Sequence, residues 1–414
     1  MRIPHLRWWI AGLLFLSTVI NYVDRQTLSV LKPALAAELG MSPTDYSNIL
    51  AAFMAAYTVM YVGSGIIVDR FGTRASLSLF MVWWSLANMA HAFAQGVWSL
   101  GILRFLLGLG ESGNFMAAFK AVSEWYPARE RAFVHGLIQS GSAIGAVIAP
   151  PVITAINARF GWQPAFVVTG GLGFVWLVAW LLLYHPPERH PLITDEERAI
   201  VLGEAAPEPP RASPVPWRQL LAHSETWGLL LSRFLSDPVW WFYLFWLPTY
   251  LVEHRGFTMG EMGMLAWLPY LTADLGALCG GWLSGRLIAA GRPAISARMA
   301  VMLPFALIMP LSILVNQVES RWLTLAIICA VTFAHMAWKT NQATLTNDVF
   351  PKRMVGTVSG LLAFGNGLGG TLFTWLTGPI VETFGYDGIF LLMSVLHPIS
   401  YLLMRRLVRR PLET

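Results

Sequence analysis

The chain has 414 residues, 56% of them hydrophobic and only 12% charged, where an ordinary soluble domain carries about 25% charged residues. Its mean hydropathy is +0.56, and 19 Trp and 23 Phe add to an apolar excess that a soluble surface cannot absorb. These proportions exclude a disordered chain and a disulfide scaffold. A net charge of +5 and a pI of 9.3 do not make a nucleic-acid binder either, because the basic residues sit between long apolar runs rather than on one face of a compact domain. The composition is that of a multi-spanning membrane protein.

Taken in chain order, Arg2 and Arg7 precede an apolar run from Trp8 to Ile20, which mimics a signal peptide. Asn21, Asp24 and Arg25 follow where a small-residue cleavage site would stand, so the run reads as an uncleaved first helix. A bilayer-spanning helix needs about 20 mostly apolar residues. Twelve such runs are expected, at 8–31, 45–68, 75–95, 98–123, 132–157, 164–184, 226–251, 262–288, 296–316, 321–347, 354–379 and 387–404. The interruption at 185–225 holds Pro186, Pro187, Pro207, Pro209, Pro210, Pro214 and Pro216 among mixed charges and reads as a linker. The predicted domains are therefore an N-terminal six-helix bundle (1–184), a cytoplasmic linker (185–225) and a C-terminal six-helix bundle (226–414). An all-α membrane fold follows.

Orientation comes from the basic residues. With the N-terminus inside, 19 of the 28 Lys and Arg fall in cytoplasmic segments, four fall outside (Lys32, Arg159, Arg255, Arg321) and five lie within spans. The positive-inside rule then places both termini in the cytoplasm.

The halves repeat. A shift of 224 residues maps Pro127 to Pro351, Gly136 to Gly360, Gly141 to Gly365 and Gly145 to Gly369, and also Phe160-Gly161 to Phe384-Gly385 and Phe166 to Phe390. Helices 5–6 and 11–12 are thus expected to be duplicates, with Gly141/Gly145 and Gly365/Gly369 giving each a small-xxx-small packing face. Two parallel halves with a midplane site make a transporter architecture.

Charge within a span costs about 2.5–3.5 kcal/mol per residue on insertion scales, so each charged residue there demands a partner or water. Helix 1 presents Asn21, Asp24 and Arg25; Arg25 either snorkels to the interface or joins a polar face that lines protein or water. Helix 4 presents Arg104 and Glu111 on one face, about 10 Å apart along the axis, with Gly108 and Gly110 between them for a close neighbour. Asp24 and Arg25 are their natural partners. Such a cluster is either a static ion-pair network or a coupling device. In the second case Glu111 or Asp24 exchanges a proton while an arginine, which stays charged, receives a substrate carboxylate. Substrate that captures the arginine then favours protonation of the carboxylate left behind.

Gly108-Leu-Gly110-Glu-Ser-Gly113 fits the dinucleotide G-x-G-x-x-G spacing, but it lies mid-span with no strand before it, so it carries no cofactor. Cys279 and Cys329 lie in apolar runs and imply neither disulfide nor metal site. No metal and no cofactor other than the proton as coupling ion is expected.

In the C-terminal half, helix 7 reads Asp237-Pro-Val-Trp240-Trp241-Phe-Tyr243-Leu-Phe-Trp246-Leu-Pro248. The aromatics form either an interfacial belt or an indole platform for a sugar ring, with Trp240 and Tyr243 as contacts. Arg233 and Asp237, four apart, are placed to pair with each other. Helix 10 aligns His335, Trp338, Lys339 and Gln342 on one face, with Asn341 beside it. Lys339 is either a second anion anchor or bridged to an acid such as Asp274, whereas His335 reads as a packing residue. Asn366 in helix 11 is a candidate hydroxyl partner.

Several of these segments resemble known transporters. Gly65-Ile-Ile-Val-Asp69-Arg70-Phe-Gly72-Thr-Arg74 is similar to the G-x-x-x-D-R-x-G-x-R loop of the major facilitator superfamily, which implies a gating role for Asp69, Arg70 and Arg74. Gly281-Trp-Leu-Ser-Gly285-Arg286 echoes it without the acidic residue at Gly285. Closer resemblance is to bacterial hexuronate transporters of the anion:cation symporter family. It rests on Asn21-Tyr-Val-Asp-Arg25-Gln-Thr-Leu-Ser29, Arg104-Phe-Leu-Leu-Gly-Leu-Gly-Glu111-Ser-Gly-Asn114 and Glu124-Trp-Tyr-Pro-Ala-Arg-Glu-Arg131, with the helix 7 stretch and Ala334-His-Met-Ala-Trp338.

The resemblance implies that Arg25 takes the substrate carboxylate and that Asp24 and Glu111 form the protonatable pair, with Arg104 as their partner. By the same likeness, Tyr57 touches substrate. Asn114, Trp240, Tyr243, Trp338, Lys339, Asn341 and Asn366 complete the expected binding set. Phe115-Met116 and Lys339-Thr340 stand where the family commonly has Trp-Pro and Ser-Ala, so Lys339 marks a different or more strongly anionic substrate. The expected protein is a monomeric, proton-coupled symporter of the bacterial inner membrane, importing a hexuronate or related sugar-acid anion, with the lipid bilayer as its other partner. The competing readings keep the fold and change the ligand to an aldonate, another monocarboxylate or phosphate. An exporter of drugs or cations would favour an arginine-poor cavity and a G-P-x-x-G-G motif where this chain has Gly141-Ser-Ala-Ile-Gly145. No H-E-x-x-H or G-x-S-x-G supports an enzyme.

Overall fold

The computed structural model describes residues 3–203 and 217–412. Arg2 and five of the linker prolines (Pro207, Pro209, Pro210, Pro214 and Pro216) lie outside the described residues. Everything described is helix or short connection, with no strand among the described residues.

The helices run in chain order α1 (Leu6–Leu39), α2 (Pro43–Ala90), α3 (Val97–Glu111), α4 (Gly113–Trp125), α5 (Ala128–Phe160), α6 (Trp162–Leu183) and α7 (Asp195–Gly203). The second half continues with α8 (Trp217–Leu220), α9 (Ser224–Ser236), α10 (Pro238–Glu253), α11 (Met259–Leu265), α12 (Leu268–Ala289), α13 (Ala294–Ile308), α14 (Arg321–Val349) and α15 (Lys352–Leu407). Two of these are double. A left-handed glycine interrupts α2 at Gly72 (φ 75°) and α15 at Gly385 (φ 64°), so each holds two of the expected spans. Conversely α3/α4, α9/α10 and α11/α12 each divide one expected span. The helices thus account for all twelve. The first is longer than expected, since α1 runs past Lys32 to Leu39 and ends where Gly40 takes a left-handed φ of 63°.

Two compact units form. One comprises residues 1–41, 52–210 and 259–264, the other residues 42–51, 211–258 and 265–414. The division departs from a simple cut at the linker, because the first turns of α2 belong to the second unit. There Tyr46 donates to the Phe245 carbonyl at 2.7 Å, and Glu382 accepts from the Thr44 amide at 2.9 Å. Part of the expected linker is also ordered onto the first unit. Glu197 of α7 accepts from the Leu6 and Arg7 amides at 2.8 and 2.9 Å, capping the start of α1.

Between lipid-embedded helices there is no hydrophobic drive to associate, so close packing at small residues and polar contacts hold them together. The duplicated glycines do this in both units. A Cβ on Gly141 or Gly145 of α5 would stand 2.7 Å from the Phe15 or Val19 carbonyl of α1. On α15, a Cβ at Gly365 would meet the Leu230 side chain of α9 at 2.9 Å, and one at Gly369 would run into the Phe234 carbonyl. The Phe-Gly turns match too, Gly161 having φ 83° where Gly385 has φ 64°. Both require the left-handed region that glycine enters without penalty.

Candidate functional site

In the first unit the charged residues of α1 and α3 meet. Arg25 is 1% exposed, and its Nε and one terminal nitrogen donate to Glu111 Oε2 at 3.0 and 2.8 Å. The same terminal nitrogen donates to Asn21 Oδ1 at 3.2 Å, one turn back on α1. Around the guanidinium stand the rings of Tyr22, Tyr57 and Phe53, at 4.7, 4.9 and 5.3 Å from its carbon. Arg25 therefore does not snorkel to an interface. Arg104 donates to the Arg25 backbone carbonyl and lies 5.2 Å over Phe53.

The glycines of α3 permit this convergence. Gly108 abuts the Phe53 carbonyl and Gly110 abuts Trp83 and Trp84, so any side chain would push α2 away. Ser112, directly after Glu111, joins α3 to α4 with helical dihedrals (φ −59°, ψ −26°). Glu111 Oε1 is left buried without a hydrogen-bond partner. Asp24 faces elsewhere: Asn88 donates to its Oδ1 at 2.7 Å and to Thr169 Oγ1 at 2.8 Å, while Oδ2 is buried without a partner. Asn114 donates to Thr18 Oγ1 at 3.2 Å.

In the second unit the ring of Trp240 lies parallel to His335, 7° from coplanar with centroids 6.1 Å apart, and meets Tyr270 edge-on. His335 Nδ1 and His397 Nε2 are 3.1 Å apart. Trp338 is fully buried against His397 and Tyr401, a packing position between α14 and the end of α15. Asn341 likewise binds α14 to α12, donating to the Gly280 carbonyl at 2.9 Å. Tyr243 is buried with its hydroxyl unpartnered, and Asn366 has a buried, unpartnered Oδ1. Gln342 Nε2 donates to Ser232 and Ser236 of α9 at 2.6 and 3.1 Å.

Two pairings that the sequence left open are absent among the described residues. Arg233 donates to Thr346 Oγ1 at 3.3 Å rather than pairing with Asp237, because α14 offers a nearer acceptor across the helix interface. Lys339 makes no bridge to Asp274: α14 meets α12 through Asn341 and Ala337, while Lys339 stands on another face.

The profile of the Major Facilitator Superfamily matches residues 14–374. The chain belongs to the major facilitator superfamily. Like other major facilitators it is a multi-pass membrane transporter and not an enzyme. It is 34% identical over 404 residues to the "Hexuronate transporter" of Escherichia coli (strain K12), covering 95% of this chain and 92% of that one. It is 36% identical over 284 residues to the "Galacturonate transporter" of Dickeya chrysanthemi, covering 68% and 82%. Among solved structures, the D-xylose-proton symporter superposes with a TM-score of 0.77 at 15% identity over 97% of this chain and 98% of that one. A bacterial homolog to the human lysosomal transporter Spinster gives 0.76 at 17% identity over 99% of both. These two likenesses show the fold alone.

In this major facilitator the loop after the second span has its own partners. Asp69 pairs with Lys120 of α4 at 3.1 Å, Arg74 donates to the Leu181 carbonyl, and Arg70 lies 5.6 Å over Phe71. The second half lacks the acid at Gly285, yet Arg298, which the 224-residue shift relates to Arg74, pairs with Asp348. Tyr22, Phe53, Asn88 and His397 are not singled out by the sequence, whereas Lys120 is, as one of the five cations within spans. Asn88 and His397 carried a signal, each being a polar residue inside an apolar run; the two rings carried none, since nothing in an apolar helix marks which aromatic faces a cation.

Proposed function

We propose that this major facilitator is a proton-coupled symporter that imports a hexuronate or closely related sugar-acid anion by alternating access. The observation that carries the reading is the buried Arg25–Glu111 pair, enclosed by Tyr22, Phe53 and Tyr57. An arginine presents a planar fork that matches a carboxylate, and the aromatic faces around it suit the cation on one side and a sugar ring on the other.

Substrate carboxylate and Glu111 compete for the same guanidinium. When substrate takes it, Glu111 is left buried without its cation, and a buried acid in that position is accommodated by a proton. Proton uptake and substrate capture therefore favour each other, which is the condition for symport. Arg104, donating to the Arg25 carbonyl, fixes the backbone from which Arg25 projects. Asp24, with its free Oδ2, is the second proton position. The names of the two similar relatives supply the substrate class, and the excess of basic residues in alternate loops supports cytoplasmic termini in the inner membrane.

The test is uptake of labelled glucuronate and galacturonate into proteoliposomes, with and without an inward proton gradient. Accumulation that collapses with a protonophore is the expected result. Absence of uptake by folded protein refutes the hexuronate reading, and gradient-independent equilibration refutes the coupling.

A further inference from the structure

The last residues of the chain include Arg405, Arg406, Arg409 and Arg410, at the end of the second unit that the reading above places in the cytoplasm. Three of them do more than flank a span: they wall a cleft. Its volume is about 800 Å³, and it lies between α13 and α15, with Arg405, Arg409 and Arg410 contributed by the end of the chain and Ile295 and Ser296 by the first turn of α13. The tail that presents the arginines is built. After α15 ends at Leu407, Val408 is buried where it leaves no room for a Cβ on Gly228 of α9, and the Leu412 amide donates to the Val349 carbonyl of α14 at 2.8 Å.

These cations lack counter-ions. Among the described residues Arg405 and Arg410 make no hydrogen bond or ion pair, and Arg409 gives only its Nε, to the Arg406 carbonyl at 2.8 Å. The acid in the cleft, Asp348, is taken by Arg298, and Glu225 beside the tail accepts from Ser224. The start of α13 adds to the positive field, with no acidic residue in its first turn and no side chain capping its amides. The rest of the cleft is apolar, lined by Met299 and Leu303 of α13 and Tyr401 of α15. Leu303 and Leu307, one turn apart, carry this lining onto exposed apolar surface, which in a membrane-spanning unit meets acyl chains.

We infer that the cleft between α13 and α15 is a binding site for an acidic phospholipid, its phosphate held by Arg405, Arg409 and Arg410 and its acyl chains lying along Met299 and Leu303. Basic pockets between spans on the cytoplasmic side suit such headgroups. A free phosphate would meet the same arginines but leave the apolar half of the cleft uncovered. The site lies within the second unit and is independent of which substrate is carried.

Native mass spectrometry tests this on the purified full-length protein, stripped of lipid in detergent and titrated with phosphatidylglycerol or with phosphatidylcholine of the same chains. Wild type is expected to bind phosphatidylglycerol at least about tenfold more tightly, each basic residue near an anionic headgroup adding to the ratio. Arg405→Gln/Arg409→Gln/Arg410→Gln brings the two lipids to within about twofold. Arg218→Gln/Arg286→Gln/Arg292→Gln, which removes the same charge from exposed positions outside the cleft, keeps the preference. Ser296→Glu is the second variant: an acid in the first turn of α13 favours the helix yet sets a negative charge in the cleft, so the preference falls without loss of stability. Equal binding of the two lipids by wild type overturns the inference, and so does a preference that the cleft variants keep or that the outer variant loses to the same extent. Displacement of bound phosphatidylglycerol by inorganic phosphate overturns the lipid as occupant in favour of a free anion.

Discussion

His335 stands in the second half where Glu111 stands in the first. The 224-residue shift that maps Pro127 to Pro351 carries Glu111 to His335. Helices α1 and α9–α10 follow a shift of 215, which pairs Phe15 with Leu230 and Val19 with Phe234 at the glycine contacts and carries Arg25 to Trp240. The two contacts therefore correspond, Arg25 on Glu111 at 2.8 Å and Trp240 parallel to His335. Duplication kept the contact and changed its chemistry. An arginine–carboxylate pair can trade its anion for another; an indole–imidazole stack cannot.

Glu111→Gln preserves the shape of the side chain while removing its charge and its proton. In proteoliposomes the variant is expected to exchange labelled for unlabelled substrate, yet to lose accumulation driven by an inward proton gradient. The comparison of counterflow with gradient-driven uptake checks it. If Glu111→Gln still accumulates substrate, the transported proton belongs first on Asp24, the buried acid of the same unit whose Oδ2 has no partner.

Arg25→Ala removes the cation and leaves Glu111 buried alone. Breaking one side of a buried ion pair typically costs about 3–5 kcal/mol, more than the pair itself contributes, because the remaining charge is uncompensated. A lowered unfolding midpoint and no measurable substrate binding are expected. Adding Glu111→Gln to Arg25→Ala separates the two effects: stability returns in large part, while binding stays absent. Substrate affinity unchanged in Arg25→Ala would remove the carboxylate-anchor role.

The fold was readable because its signals are long. Twenty-residue apolar runs, the basic loops and a glycine pattern repeated at one offset each integrate over many positions. Two left-handed glycines at that offset, Gly161 and Gly385, show why the repeat survived: only glycine adopts those turns freely. The charged cluster was half readable. Spacing put Asp24 and Arg25 on one helix and Arg104 and Glu111 on another, and the cost of charge in a membrane required partners. Which acid Arg25 holds depends on rotation about helix axes, and Asp24 turns out to face Asn88. In α14, a shared face grouped His335, Trp338 and Lys339, but Trp338 lies at the edge of that face and packs on His397; a polar residue in an apolar run marks His397, yet nothing local shows which helix it faces.

The contact of α5 with α1 makes a stability prediction with an internal control. Gly145→Ala puts a methyl 2.7 Å from the Val19 carbonyl and 2.8 Å from Tyr22 Cβ, so the helices must part. Overpacking of this kind costs about 1–3 kcal/mol. Gly136, on the same helix, has nothing within 4 Å of the added carbon, so Gly136→Ala is neutral or slightly stabilising through helix propensity. Thermal unfolding in detergent compares them. The first is expected to melt lower than wild type and the second not. Because Tyr22 also borders Arg25, Gly145→Ala weakens substrate binding as well.

The linker carries a pH-dependent contact outside the spans. His190 is buried, its Nδ1 accepting from the Leu192 amide at 3.1 Å and its Nε2 lying 2.7 Å from the Leu183 carbonyl. Only the neutral ring with its proton on Nε2 makes both bonds. Burial holds this imidazole below its ordinary value; the Leu183 carbonyl opposes the shift, and nearby Arg198 adds to it. An unfolded histidine titrates at about 6.5, and the folded one titrates lower. The contribution of this contact is therefore complete above that pH and is lost as the pH falls toward the folded value. Hydrogen exchange over residues 184–203, corrected for intrinsic rate, is expected to be faster at pH 5.5 than at pH 7.5, and His190→Gln to remove most of the difference. Equal protection at both pH values would show that the ring does not hold the linker to the first unit.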